Sequence, residues 1–235
     1  MSVLYDERAE THGPYFNEAG RIVPSVTTVI GQNLGWDTET LYNWIARVTK
    51  EGYEFKALTS VAAEVGTCAH QLVEQHLNPE LQPLDPNVWA PRVWEHARVA
   101  YEAYIEWEEF YKPELLFSEL KLTHEGLQYA GTLDFGAVFQ GEPALIDFKT
   151  SDSVRRKHVI QAAAYRELWK ISLNERPRVI VLRLPIYGEK AHMQDITGSM
   201  DMAFEVFKVC LDLHRLKDEW EHGDNKRLGR LIGGK

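Results

Sequence analysis

Two cysteines, Cys68 and Cys210, are all that the 235 residues contain. Two cannot build a disulfide framework or a four-cysteine iron–sulfur cluster, so apolar burial must hold the fold. No apolar run approaches the ~20 residues of a membrane span. The amino terminus, Met1-Ser2-Val3-Leu4-Tyr5-Asp6-Glu7-Arg8, carries no cleavable apolar segment. The expectation is a soluble, intracellular (cytoplasmic) protein with no membrane partner. A Gly-x-x-x-x-Gly-Lys-Ser/Thr phosphate loop is missing, which excludes a helicase motor within this chain. Basic residues are also short: 26 Lys and Arg against 35 Asp and Glu leave a formal charge of −9. That argues against broad nonspecific binding to nucleic acid, which depends on neutralising phosphates, although a local basic track around an acidic centre remains open. There is no internal repeat and no low-complexity segment.

What is present suits one globular domain, or a core with one appended subdomain, since 44% of the residues are hydrophobic. Apolar periodicity and turn residues predict a mixed α/β (α+β) order. Residues 3–24 read as a short hairpin, and Ser25 caps a helix beginning near Val26. Helices follow over 38–50 and 55–77, the second with Gly66 inside it. A proline-rich loop spans 78–87, and an aromatic-rich helix spans 88–111. Its stripe of Val93, Ala97, Tyr101, Tyr104 and Ile105 reads as a buried face, with edge aromatics the alternative as a base-stacking platform. Strands are expected over 115–123, 127–139 and 142–150. A helix over 154–173 is capped by Asp152 or Ser153, and a largely apolar central strand lies at 178–184. An edge strand at 190–196 precedes a closing helix over 199–221, whose inward set includes Met202, Phe204, Val206, Phe207, Cys210, Leu211, Leu213 and Leu216. Residues 223–235 form a basic tail.

The chemistry gathers on the pair of strands around Asp134 and Asp147-Phe148-Lys149. With Gln140 and Gly141 as a two-residue loop, Asp134 lies across from Asp147; with a four-residue loop it lies across from Lys149. In either register Asp134, Asp147 and Lys149 share a face, because side chains alternate with period two. Two carboxylates with Cβ atoms roughly 5 Å apart repel, so they need a proton, a cation or a lysine. A hard divalent cation accepts such oxygens, and a lysine beside it can orient a water and offset charge developing on a phosphate. The plainer reading is a surface hairpin whose acids pair with Lys149 and Lys121.

The order of four short motifs resembles the PD-(D/E)XK nuclease superfamily, and within it the RecB-like exonuclease branch. The motifs are Gly66-Thr67-Cys68-Ala69-His70, then Asp134, then Asp147-Phe148-Lys149, then Gln161-Ala162-Ala163-Ala164-Tyr165, covering roughly residues 60–170. A further run, Pro24-Ser25-Val26-Thr27-Thr28, resembles a segment of mitochondrial genome maintenance exonuclease and related phage proteins. The resemblance implies a restriction-endonuclease-like core: a central mixed β-sheet flanked by helices over 55–222, with an N-terminal hairpin and helical region over 1–54. It implies Asp134, Asp147, Lys149, Gln161 and Tyr165 as catalytic residues. It implies His70, Asp134, Asp147 and the Phe148 carbonyl as ligands of Mg²⁺ or Mn²⁺; the iron–sulfur cluster that some RecB-like nucleases carry is excluded by the cysteine count. Glu119, on the preceding strand, either joins the metal or pairs with Lys121 or Lys149. Ser25, Thr27, Arg155, Arg156 and Lys157 are the candidate DNA contacts. The expected activity is metal-dependent exonucleolytic hydrolysis of DNA at single-stranded ends, in repair or recombination or in a phage. A recombination or single-strand-binding protein is a candidate partner, and the oligomeric state is left open. The alternatives are an endonuclease on the same core and a non-catalytic DNA-binding subunit.

Overall fold

The computed structural model describes residues 13–36 and 38–222. The amino-terminal part of the expected hairpin and the expected basic tail lie outside the described residues. A two-stranded hairpin, β1 (Tyr15–Phe16) and β2 (Ile22–Val23), leads into helices α1 (Val26–Asn33), α2 (Thr38–Lys50) and α3 (Phe55–Leu77). Helix α4 (Pro91–Tyr111) precedes strands β3 (Glu114–His124), β4 (Tyr129–Phe139) and β5 (Glu142–Lys149). Helix α5 (Arg156–Leu173), strands β6 (Arg178–Arg183) and β7 (His192–Asp195), and helix α6 (Met200–His222) complete the described chain. No described helix is long and apolar enough to cross a membrane.

Strands β3 to β7 form one mixed sheet in sequence order. The neighbours are antiparallel except β5 and β6, which run parallel. A parallel pair needs a long crossover, and α5 supplies it. Val179, Ile180, Val181 and Leu182 of β6 are buried, as an interior strand covered on both faces requires. One face packs against α1, α5 and α6, through residues such as Val29, Leu168 and Phe207. The other packs against α3 and α4, through Val65, Val73, Tyr104 and Trp107. The fold is therefore α+β, with a five-stranded mixed sheet between helical layers.

The two-residue loop is the one present. Gln140 and Gly141 have φ values of 55° and 85°, the positive pair that a tight hairpin turn matching strand twist requires. The resulting register runs from Phe139↔Glu142 to Phe135↔Ile146. Beyond that pair the ladder between β4 and β5 stops, and the Phe148 amide donates instead to Oδ2 of Asp134 at 2.9 Å.

At the same level β4 rotates. Leu133 packs in one core and Phe135 in the other, although residues two apart in a regular strand share a face. Strand β3 does likewise. Phe117 and Leu122, of opposite parity, pack on the same side, with Glu119 between them in the left-handed region at φ 48°. A non-glycine residue there is uncommon, and its strain is held by the pairing with β4 on both sides of it, Ser118 with Phe135 and Leu120 with Leu133. The sheet thus forks where Glu119, Asp134 and Asp147 meet. The opening beside β4 is taken by the amino-terminal segment: Ala130 donates its amide to the Pro24 carbonyl at 3.0 Å, and Ser25 bridges to Ala130.

Several expectations are corrected. Helix α4 starts at Pro91, because proline suits a first helical position and the preceding Pro86–Val88 forms a separate 3-10 turn. Helix α5 begins at Arg156, not near residue 154, and its cap is Arg155 rather than Asp152 or Ser153. The Arg155 amide donates to Nδ1 of His158 at 3.2 Å, so a buried imidazole at the third helical position reaches back to the cap amide, as a glutamate or glutamine does in a capping box. Met202, Leu213 and Leu216 of α6 are exposed rather than inward, because Met200, Ala203, Phe207, Cys210 and Leu211 already fill the core face.

Candidate metal centre

The fork opens into a cleft of about 540 Å³. One wall carries Tyr15, Ser25 and Thr27 from the amino-terminal region, and the other carries Gly66, His70, Gln71 and Glu74 from α3. The floor is formed by Glu119, Lys121, Thr132, Asp134 and Lys149 of the sheet, and Gln161 and Tyr165 of α5 close one side. Residues 117 positions apart meet here, since Tyr15 Oη lies 2.7 Å from Thr132 Oγ1.

Helix α3 aims His70 at the fork. Nδ1 lies 3.8 Å from Asp134 Oδ2, and Nε2 lies 3.1 Å from the Phe148 carbonyl oxygen. With Nε2 protonated and donating to that carbonyl, Nδ1 keeps its lone pair toward the carboxylate. Glu119 completes a group of three: its carboxylate, that of Asp134 and the His70 ring offer ligand atoms all within 4.8 Å of one another. Gly66 lets α3 approach closely, because a Cβ there would stand 3.3 Å from Thr150 Oγ1.

Asp147 lies behind this group and is only 1% exposed. Its partner is Lys149, whose Nζ is 2.7 Å from Oδ2; beyond this ion pair neither carboxylate oxygen receives a hydrogen bond. Burial pushes the Asp147 carboxyl up to about 6 despite the pull of Lys149. Burial alone would lower the Lys149 ammonium, but Asp147 and Asp134 outweigh it and hold the pKa above its ordinary value. Burial, reinforced by Asp134 and Glu74, pushes Glu119 up to about 9. Negative charge packed this densely, with its protons held abnormally tightly, is the electrostatic condition that a bound cation relieves.

Gln161 and Tyr165 sit one turn apart on α5, with Gln161 Nε2 donating to Tyr165 Oη at 3.0 Å. Burial, then Asp134, hold the phenol well above its ordinary pKa, so it stays a neutral donor. Its ring fits because β4 has a glycine opposite: a Cβ on Gly131 would stand 2.5 Å from Tyr165 Cε1. Ser25 caps α1 by accepting from the Thr28 amide at 3.0 Å, and both Ser25 and Thr27 line the cleft. Arg155, Arg156 and Lys157 are exposed at the start of α5 and do not line it. His76, two turns beyond His70 on α3 but facing α4, pairs with Glu108 at 2.7 Å. The aromatic stripe of α4 is largely core, with Tyr104 and Trp107 buried against Phe148 and Phe139.

Tyr15, Gln71, Glu74 and Thr132 line the cleft without having been singled out from sequence. Glu74 had a signal, one helical turn after His70 on the same face. Tyr15 had none, because only tertiary folding brings it to β4.

No family model matches the sequence, and no curated protein matches it. Among solved structures the chain is similar to a candidate exonuclease from Eubacterium rectale, with 14% identity, 69% of this chain and 68% of that chain covered, and a TM-score of 0.49. It is also similar to the protein SSO0001, with 14% identity, 63% and 74% covered, and a TM-score of 0.30. Likeness at this level carries no argument about chemistry, and the functional reading rests on the residues of the fork.

Proposed function

We propose that this chain is a metal-dependent deoxyribonuclease of the RecB-like PD-(D/E)XK type, hydrolysing phosphodiester bonds at DNA ends with a preference for single strands. The observation that carries this reading is the convergence of His70, Glu119 and Asp134 within 4.8 Å, with the buried Asp147–Lys149 pair directly behind them. The donor set, two or three carboxylates with one imidazole, suits Mg²⁺ or Mn²⁺. His70, Asp134 and Glu119 would hold the ion, with Asp147 and the Phe148 carbonyl adjoining. A divalent cation there supplies a polarised phosphate oxygen and a water of lowered pKa.

The remaining work falls to the chain's own groups. Lys149 stays charged beside Asp147, orients the attacking water and offsets charge on the phosphate as the bond to water forms. Tyr165 and Gln161 order the floor of the cleft as hydrogen-bond donors. Ser25, Thr27 and the first turn of α1 border the path of the strand, where backbone N–H groups and hydroxyls suit phosphate oxygens. The expected products are a 5′-phosphate and a 3′-hydroxyl.

The test is degradation of end-labelled linear single- and double-stranded DNA, beside circular DNA, with Mn²⁺, Mg²⁺ or EDTA. Linear DNA alone is expected to be lost, in either metal and not in EDTA. The Lys149→Ala variant is expected to be slower by on the order of 100-fold or more. The imidazole ligand favours Mn²⁺ over Mg²⁺, so equal or faster rates in Mg²⁺ count against His70 as a ligand. Cutting of circles replaces the exonuclease with an endonuclease. Binding without cutting in either metal overturns the catalytic reading.

A further inference from the structure

Two lysines stand in the cleft, and the fold commits one of them. Lys149 pairs with Asp147 at 2.7 Å. Lys121, on β3, is exposed and lines the same cleft, yet among the described residues it makes no hydrogen bond and no ion pair. Its charge acts on Glu119 from beyond ion-pair distance. An uncommitted ammonium beside an acidic floor is in place for an anion brought from outside.

Strand register fixes where that anion sits. Lys121 lies across from Thr132 in the β3–β4 ladder. Lys121 is two residues after Glu119, Thr132 is two residues before Asp134, and all four line the cleft. Because β3 and β4 are antiparallel, the two shifts run the same way, so Lys121 and Thr132 form one row beyond the level of Glu119 and Asp134. Two residues of strand advance about 6.8 Å, a step comparable with that between neighbouring phosphates in an extended nucleotide strand. Thr132 is buried, and Tyr15 Oη holds its Oγ1 at 2.7 Å, which fixes the β4 side of the row.

We propose that Lys121 forms a subsite for the phosphate next to the scissile one, bordered by the Tyr15–Thr132 hydroxyl pair. The subsite rests on the nuclease reading and specifies how a strand is set in register on the metal. Charge balance requires it. Glu74, Glu119, Asp134 and Asp147 make the floor and the α3 wall acidic. The cation and Lys149 serve the scissile phosphate, so without Lys121 the neighbouring phosphate would meet net negative charge. An ammonium on a flexible stem binds phosphate as a point charge. Such a contact positions the backbone and reads no base, so the subsite sets register without sequence preference.

The test uses single-stranded oligonucleotides carrying one uncharged methylphosphonate at successive positions from each end. Hydrolysis is followed in Mn²⁺ and binding in Ca²⁺, with the full chain and its Lys121→Ala and Lys121→Arg variants. Lys121→Ala should raise KM on the order of tenfold with kcat little changed, and Lys121→Arg should restore most of the loss. The salt dependence of affinity should become shallower by about one charge. One methylphosphonate position should cost the wild type the same factor and cost Lys121→Ala nothing further. Equal losses at every position in both proteins overturn the subsite, as does a fall in kcat with KM unchanged. Tighter Mn²⁺ binding by Lys121→Ala with an unchanged KM makes Lys121 only a counter-charge to Glu119, and overturns it too. No hydrolysis by the wild type in either Mn²⁺ or Mg²⁺ sinks the nuclease reading instead. The Ca²⁺ binding data then still decide the subsite, by whether Lys121→Ala weakens the unmodified strand and spares the one with the matching neutral linkage.

Discussion

A lysine ammonium taken out of water is stable only beside negative charge, and Lys149 has Asp147 at 2.7 Å. The reverse dependence is weaker, because the acids around the fork outnumber the cations there. Without a cation, Glu119, Asp134 and Asp147 must either repel one another or take up protons, so activity and stability oppose each other at these positions. Glu119→Gln should therefore raise the melting temperature of the metal-free protein while reducing the further rise on adding Mn²⁺; calorimetry with and without the ion checks both. Two glycines of β4 separate packing from function. A Cβ at Gly136 would run into the ring of Phe117, and one at Gly131 into the ring of Tyr165. Each alanine variant should cost about 1–3 kcal/mol by overpacking. Gly131→Ala should also slow DNA hydrolysis, by displacing Tyr165, whereas Gly136→Ala should leave the rate per folded molecule unchanged. Denaturant melts beside nuclease assays distinguish the two.

Among the elements, the β4–β5 hairpin was legible from sequence because Gln140-Gly141-Glu142-Pro143 interrupts two β-favouring runs, while the choice between a two- and a four-residue loop came from the structure. What the residues could not show is that the ladder would end at Phe135↔Ile146 and that β3 and β4 would both rotate there. Periodicity assumes a regular strand, and Glu119 in the left-handed region is not one. Gly141, at φ 85°, has no space constraint but a conformational one. Gly141→Ala should destabilise the fold by about 1 kcal/mol, measurable in urea. The cap of α5 was misassigned for a related reason: serine and aspartate are the usual caps, and the use of a buried histidine depends on its surroundings. Burial holds His158 down at about 3, with Lys149 adding to the effect, so it remains a neutral acceptor at the helix amino terminus, where a cation would oppose the macrodipole. His158→Ala should cost about 1 kcal/mol.

For the whole molecule, the raised acids set how stability varies with pH. Asp147 and Glu119 hold protons more tightly when folded than when unfolded. Their contribution is complete below the ordinary carboxylate range and is lost as pH rises through about 6 for Asp147 and about 9 for Glu119. His158 acts the other way, since its folded pKa is depressed, and its contribution is lost as pH falls from 6.5 toward about 3. The metal-free protein should therefore lose stability as pH rises from about 4, through both acids up to about pH 6 and through Glu119 alone from there to about pH 9. A divalent ion competes with their protons, so the stabilisation by Mn²⁺ should be larger at pH 9 than at pH 6. Melting curves at the two pH values, in EDTA and in Mn²⁺, check the sign; a larger metal effect at pH 6 would sink it.

Local chemistry along the chain determined the element order, the place of the β4–β5 turn, the helix bounds of α2 and α3 and the buried apolar β6, because turn residues, periodicity and burial act over a few neighbours. Strand alternation brought forward Asp134, Asp147 and Lys149 as candidates, and the resemblance of the short motifs to RecB-like nucleases added His70, Gln161 and Tyr165. Tertiary structure alone decided that Glu119 closes the group with His70 and Asp134, that Tyr15 reaches Thr132, and that Arg155, Arg156 and Lys157 stand away from the cleft. It also decided which stripe of α6 enters the core. All of these are set by where strands rotate and how layers pack, and that depends on contacts between residues far apart in the chain.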